Sequence, residues 1–333
     1  MSINNPIKIV GIATMLFLFN FCTSLPQMSH KDVHSIPSGY GPEDIVADNS
    51  AGYERLLISC TARRTDTEAY GEIEEYYPDQ QSHRILKRKG EPEGLLFKPH
   101  GIYLARIDNI PYLYVISHND EDHQHPVIRY MIEENQLVFN KLYSSPLLVS
   151  PNAITVFNNG SFLVCNDASK RGSRMEQILG LKKGNIVYCD GADDWTIVAD
   201  KLGMPAGINH LNNTVYVSAA TENKIYQYRF WDGQLSEKRV LCEAKGPDNI
   251  RFSDQDLLVA CHLKTMKFVK HISDSENPSP TVIYLCESST GSLNLVFSND
   301  GTLISAGSVA VELQNKIYIG QIFESFIVSM NKD

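Results

Sequence analysis

Among its seven cysteines the sequence has no Cys-x-x-Cys pair, so a structural zinc site built on that spacing is not expected. It also lacks a basic surplus. Lys and Arg total 30 against 39 Asp and Glu, for a formal net charge of −9, and without a basic face the chain is not suited to nucleic acid. There is no long low-complexity stretch and no convincing amphipathic helix of more than a few turns. The best short helical candidate runs from Arg174 to Leu181. Negative charge is missing from the N-terminus, where no carboxylate precedes Asp32. Cysteine is missing from the C-terminus, where the last one is Cys286.

The N-terminal run from Ile9 to Phe21 is nearly all apolar, broken only by Thr14 and Asn20, and Lys8 precedes it. It is too short to span a bilayer comfortably and reads as a signal-peptide core behind a positive n-region. Cys22-Thr23-Ser24 offers small residues for cleavage. A lipidated Cys22 fits less well behind bulky Phe21, and an uncleaved anchor is the plain alternative. The organisation read from the sequence is therefore residues 1–24 as signal peptide or N-terminal anchor, 25–40 as linker, and 41–333 as one domain. Export follows, to a secreted, periplasmic or membrane-anchored location. It would permit disulfides, but Cys60 and Cys165 end the apolar runs Leu57-Ile58-Ser59-Cys60 and Phe162-Leu163-Val164-Cys165 and read as buried small hydrophobes. The sequon-like Asn212-Asn213-Thr214 matters only in a host that glycosylates exported proteins.

A hydrophobic content of 43% over 333 residues supports a substantial core, and its arrangement is repetitive. Five segments share a proline turn that leads to an isoleucine: Gly41-Pro42-Glu43-Asp44-Ile45, Lys98-Pro99-His100-Gly101-Ile102, Ser150-Pro151-Asn152-Ala153-Ile154, Met204-Pro205-Ala206-Gly207-Ile208 and Gly246-Pro247-Asp248-Asn249-Ile250. Successive prolines are 57, 52, 54 and 42 residues apart. In the later four units a β-branched or aromatic strand follows, such as Thr214-Val215-Tyr216-Val217-Ser218 after the turn Asn212-Asn213. A sixth, divergent unit is read at Thr302-Leu303-Ile304-Ser305 with Lys316-Ile317-Tyr318-Ile319-Gly320. Short strands repeating at this period indicate an all-β, six-bladed β-propeller. A pair of β-sandwiches is the alternative, but it does not account for the self-similarity.

In a propeller the inner strand of each blade lines the channel, so equivalent repeat positions converge. Here these are Glu43, His100, Asn152, Ala206 and Asp248-Asn249. Carboxylate and amide oxygens without thiolates suit Ca²⁺. Against this, Asp and Asn are common turn residues, and only their recurrence at one phase singles them out.

With these motifs, together with Cys165-Asn166-Asp167, Ala206-Gly207-Ile208-Asn209, Cys261-His262, Asp274-Ser275-Glu276-Asn277-Pro278 and Gly307-Ser308-Val309-Ala310, the chain resembles the paraoxonase/arylesterase family. That family consists of calcium-dependent six-bladed propellers related to gluconolactonases. The resemblance runs from about Gly41 to about Phe323. It implies a catalytic calcium held by Glu43, Asn152, Asp248 and Asn249, with Ala206 where the family has a further asparagine. It implies a second, structural calcium at Asp44 and the Ile102 carbonyl, with Ala153 in place of an aspartate. Each site thus lacks one ligand, and weaker affinity is expected. His100 falls on the histidine that activates water, and His118 on its partner in a dyad. The family's vertebrate members tie their ends by a disulfide, so closure here must rest on strand pairing.

The function so implied is calcium-dependent hydrolysis of small lactones and aryl esters. A non-catalytic binding propeller and a sugar-lactone hydrolase are the rivals. Met204 is a candidate for the apolar substrate wall, with core packing equally suited to it. His123 and His125, in a polar loop, are expected to be solvated. Oligomeric state and membrane association are not fixed by the sequence.

Overall fold

The computed structural model describes residues 24–26, 28, 32–49, 54–64, 71–119 and 123–332. The apolar run Ile9–Phe21, Cys22 and the expected cleavage region up to residue 23 lie outside them.

Six sheets of four or five strands, antiparallel except for one added edge strand, make up the fold of the described residues. Their inner strands are Pro42–Asp48, Pro99–Ile107, Pro151–Val156, Pro205–Leu211, Pro247–Ser253 and Gly307–Leu313. Each packs on the next and the sixth packs on the first, closing a ring. This is the six-bladed propeller that the repeat predicts. The second blade carries an extra outer strand, Lys87–Lys89, parallel to Gln136–Tyr143.

Strand alternation explains how the blades cohere. Successive side chains on a strand point to opposite faces, so a blade between two neighbours needs apolar residues on both. In the first blade Ile45, Leu56 and Ile58 face the sixth blade and join Val309, Val311 and Tyr318. Val46, Leu57 and Ile73 face the second blade and join Leu113, Val115 and Ile128. Similar clusters fill the remaining gaps. That is why the strands read as nearly continuous apolar runs.

The linker expected over 25–40 is only in part a linker. His34–Pro37 forms an antiparallel strand against Phe326–Asn331, so the N-terminus supplies the outer strand of the sixth blade. The physical reason is edge protection: the last strand would otherwise present an open row of backbone groups. Ring closure therefore rests on strand pairing. The sixth inner strand also differs from expectation. Residues Thr302–Ser305 form no strand, and Gly307–Leu313 pairs with Lys316–Gln321 instead.

Two α-helices occur among the described residues. Arg174–Ile178 matches the short candidate. Thr265–Ser273 was not anticipated, although Phe268 and Ile272 sit four apart on one face. The six described cysteines are buried and free, as expected of strand cysteines, with the Cys242 and Cys286 sulfurs 3.3 Å apart.

Candidate active site and metal centre

At one end of the channel every inner strand begins with the same irregularity. The pairing register skips between Pro42 and Asp44, Pro99 and Ile102, Pro151 and Ala153, Pro205 and Gly207, Pro247 and Ile250, and Gly307 and Val309. The skipped residues are Glu43, His100-Gly101, Asn152, Ala206, Asp248-Asn249 and Ser308. A β-bulge leaves one residue outside the ladder and re-aims its side chain. A proline is tolerated at the first strand position because it has no N–H to give to the ladder. The proline marks the sequence repeat, and the bulge after it creates the site. Glycine permits the convergence at two places. A Cβ on Gly101 would lie 2.3 Å from the Asn152 carbonyl oxygen, and one on Gly207 would lie 2.5 Å from that of Asp248.

Glu43, His100, His118, Asn152, Asp248, Ala206 and Met204 share one cavity of about 750 Å³. Asn249 is buried but is not part of the cavity wall. Asp44 and Ile102 are also off the wall, deeper along their strands. Apolar closure comes from Phe268 and Ile272 of the unanticipated helix and from Ile322 and Phe323. The helix is fixed to the first blade through Arg64, which donates to the His271 carbonyl at 2.7 Å, pairs with Glu324 and covers the Phe323 ring at 4.2 Å.

His100 Nδ1 lies 2.8 Å from Glu43 Oε2. Burial alone would raise the Glu43 carboxyl. The Arg63 guanidinium and His100 outweigh that and hold it at about 2. Arg63 pairs with Glu43 Oε2, lies 3.1 Å from His100 Nδ1 and donates to the Gly41 and Thr61 carbonyls at 3.0 and 3.1 Å. His100 Nε2 and Glu43 Oε2 are buried without an aligned hydrogen bond. On the opposite wall His262 Nε2 lies 3.0 Å from Asp248 Oδ2, and Phe268 covers the imidazole at 4.3 Å between centroids. Burial pushes the Asp248 carboxyl up, against the pull of His262.

The two dyad candidates touch without hydrogen bonding to each other: the His100 and His118 rings are 4.4 Å apart at 42°. His118 Nε2 donates to the Pro151 carbonyl at 2.8 Å. Burial, with Arg171 and His100 nearby, depresses its basicity well below that of an ordinary imidazole. His123 is exposed as expected. His125 is not: it is buried and meets His118 edge-on at 5.5 Å. Its packing against His118 takes it out of solvent.

Arg63, Asp167, Arg171 and His262 also line the cavity, and their roles were not foreseen. Asp167 and His262 stood within quoted motifs. Arg63 had no signal, because it follows the second strand outside the repeat phase. Ser308 occupies the sixth bulge and donates to the Glu43 carbonyl at 2.7 Å. It lies within the motif Gly307-Ser308-Val309-Ala310, but with the sixth unit expected at Thr302–Ser305, Ser308 is not aligned with the other bulge positions.

For a metal the donor set is mixed. Among the described residues no three His, Cys, Asp or Glu side chains form a preformed cluster, so amide oxygens would have to share the task. Hard oxygens from Glu43, Asn152 and Asp248 in one cavity are of the kind that fits a calcium ion, although Arg63 pairs with Glu43. The deeper pair does not. Arg251 already reaches both Asp44 and the Ile102 carbonyl.

The arylesterase family model matches residues 61–329. Serum paraoxonase/arylesterase 1 of Rattus norvegicus is 30% identical over 239 residues, which cover 68% of this chain and 66% of that protein. The match thus spans just under two thirds of the relative's length. Serum paraoxonase/lactonase 3 of Homo sapiens is 26% identical over 253 residues, 72% of this chain and 70% of that one. Among solved structures, a gluconolactonase from Xanthomonas campestris superposes with a TM-score of 0.61 at 13% identity, covering 92% of this chain and 95% of that one. A regucalcin from Agrobacterium tumefaciens, described as calcium-binding, gives 0.55 at 10% identity over 88% and 90%. These two share the propeller fold. From the bulged repeat, the cavity it builds and the match over most of the chain, the protein is a member of the arylesterase family.

Proposed function

We propose that the chain hydrolyses lactones and aryl esters at the bulge-rimmed cavity, with calcium as cofactor. One observation carries this reading: a buried imidazole held by a carboxylate, and oxygen donors from two further blades, share a cavity of small-molecule size. Family membership supports it.

Glu43, Asn152, Asp248 and Asn249 are the residues that would hold the ion, with Ala206 contributing nothing. A bound calcium ion supplies a Lewis acid that polarises a carbonyl and offsets charge on its oxygen. The chain's own groups do the rest. Glu43 and Arg63 both approach His100 Nδ1. In the tautomer protonated at Nδ1, which the Glu43 carboxylate favours, the unpartnered Nε2 lone pair takes the proton of an attacking water. His118, kept neutral by burial, is a poor resting place for that proton. Its contact positions the His100 ring. Phe268, Ile272 and Phe323 bury the apolar part of the substrate and thin the water around the reacting carbonyl.

Arg63 favours a second reading, a binding module that works without metal, because its guanidinium already neutralises Glu43. A panel of aryl esters, aliphatic lactones and sugar lactones, assayed with added calcium, separates the two. Turnover supports the hydrolase. The absence of turnover on every class, together with the absence of calcium binding, supports the module. Export belongs to the same proposal and is supported by the apolar run Ile9–Phe21 behind Lys8. No helix among the described residues is long and apolar enough to cross a membrane.

A further inference from the structure

Below the bulges, the next layer of the channel is filled by a side chain. Arg251 lies on the fifth inner strand, Asp44 and Ile45 on the first, and Ile102 on the second. In a ring of six the fifth and second blades are opposite, so the Arg251 side chain spans the channel. Its Nε donates to the Ile45 carbonyl at 2.9 Å. Its Nη2 pairs with Asp44 Oδ1 and donates to the Ile102 carbonyl at 3.0 Å, while Nη1 lies 3.4 Å from the Ile250 carbonyl. Asp44 is equally committed: Oδ2 accepts the Ile102 N–H at 2.8 Å and Oδ1 the Ile45 N–H at 3.0 Å. Both partners are buried, with side-chain exposures of 9% and 2%.

We propose that the Arg251 guanidinium is the resident cation of this layer, taking the place that the family resemblance assigns to a second calcium, so that the chain ties its ring here without a metal. The two oxygens expected to ligate that ion, Asp44 carboxylate and Ile102 carbonyl, are the two to which Nη2 donates. A divalent ion at this point would face a fixed positive charge and find its ligands already taken. The third expected ligand position is Ala153. Its Cα sits 3.1 Å from where a Cβ on Gly101 would lie, next to Ile102, and its methyl group offers no oxygen. The loss of one carboxylate and the gain of one guanidinium together make up the two positive charges of the ion they replace. A planar five-donor fork can also satisfy several carbonyls at once, as an ion would. The inference does not rest on the hydrolase reading, since it concerns a different layer of the channel.

Calcium bound per chain, measured by elemental analysis and titration with calcium alone on the wild-type protein, tests it directly. At most one ion is expected; two would overturn the proposal. A chain that binds none would end the calcium part of the function proposed above while leaving Arg251 in its place. The converse test is Arg251→Ser combined with Ala153→Asp. This variant is expected to bind one ion more than wild type and to show a calcium-dependent rise in melting temperature from that ion. A variant that folds by circular dichroism yet binds no more than wild type contradicts the proposal. If the variant does not fold, the wild-type count still decides.

Discussion

His100 and Glu43 come from neighbouring blades and meet with Nδ1 2.8 Å from Oε2. Each is the residue that a bulge leaves out of its ladder. The contact is made at Nδ1 and leaves His100 Nε2 without a partner, whereas His118 Nε2 is committed to the Pro151 carbonyl, so His100 and His118 should not be equivalent. His100→Gln is expected to lower kcat/KM for a phenyl ester by about 10²–10⁴-fold. His118→Gln, which removes a positioning contact, should cost far less. Equal losses in steady-state assays would show that both imidazoles handle the proton.

Arg251→Met leaves the buried Asp44 carboxylate without its cation. Removing one partner of a buried pair costs about 3–5 kcal/mol, and urea denaturation should show a loss of that order. Adding Asp44→Asn should recover much of it, since no charge then remains to compensate. A double variant as unstable as the sum of the singles would mean that the pair is not coupled.

Acid sensitivity should have an imidazole component. Burial holds His210 at about 4, against 6.5 for the free side chain, with Thr155 Oγ1 2.7 Å from its Nδ1. The unfolded chain therefore binds a proton that the folded chain refuses between those values. Stability contributed by the neutral ring is present above about pH 6.5 and is lost as pH falls towards 4, with a slope of at most about 1.4 kcal/mol per pH unit. Glu43, held at about 2, acts in the same direction but only below about pH 4.5. His210→Gln should flatten the melting temperature between pH 6.5 and 4.5. An unchanged slope would assign the effect to other groups.

Ala206 is the bulge residue without a side-chain oxygen, and Ala206→Asn should supply one. Calcium affinity measured by titration is expected to tighten about tenfold, equivalent to about 1.4 kcal/mol. No change would mean that the fourth blade does not face the ion.

The repeat phase made most of this architecture legible. Pro42, Pro99, Pro151, Pro205 and Pro247 mark blade starts because a first strand residue needs no ladder N–H, and the residues after them do converge. What stayed hidden depends on three-dimensional neighbours. His34–Pro37 reads as linker because a four-residue closing strand has too few residues to show periodicity. The sixth blade begins at Gly307, which lacks the proline marker. Arg63 and Arg251 carry no motif: their importance comes from buried carboxylates on other blades, Glu43 and Asp44, and no spacing along the chain encodes that. His125 shows the same limit, since a polar local sequence does not reveal that its side chain is buried against His118.

Hydrolysis of a phenyl ester and an aliphatic lactone, assayed in calcium and in excess chelator for wild type and Asp248→Ala, tests the central claim most directly. Wild type should turn over both substrates in calcium and lose activity in chelator, and Asp248→Ala should be inactive in either. Full wild-type activity in excess chelator would contradict the account.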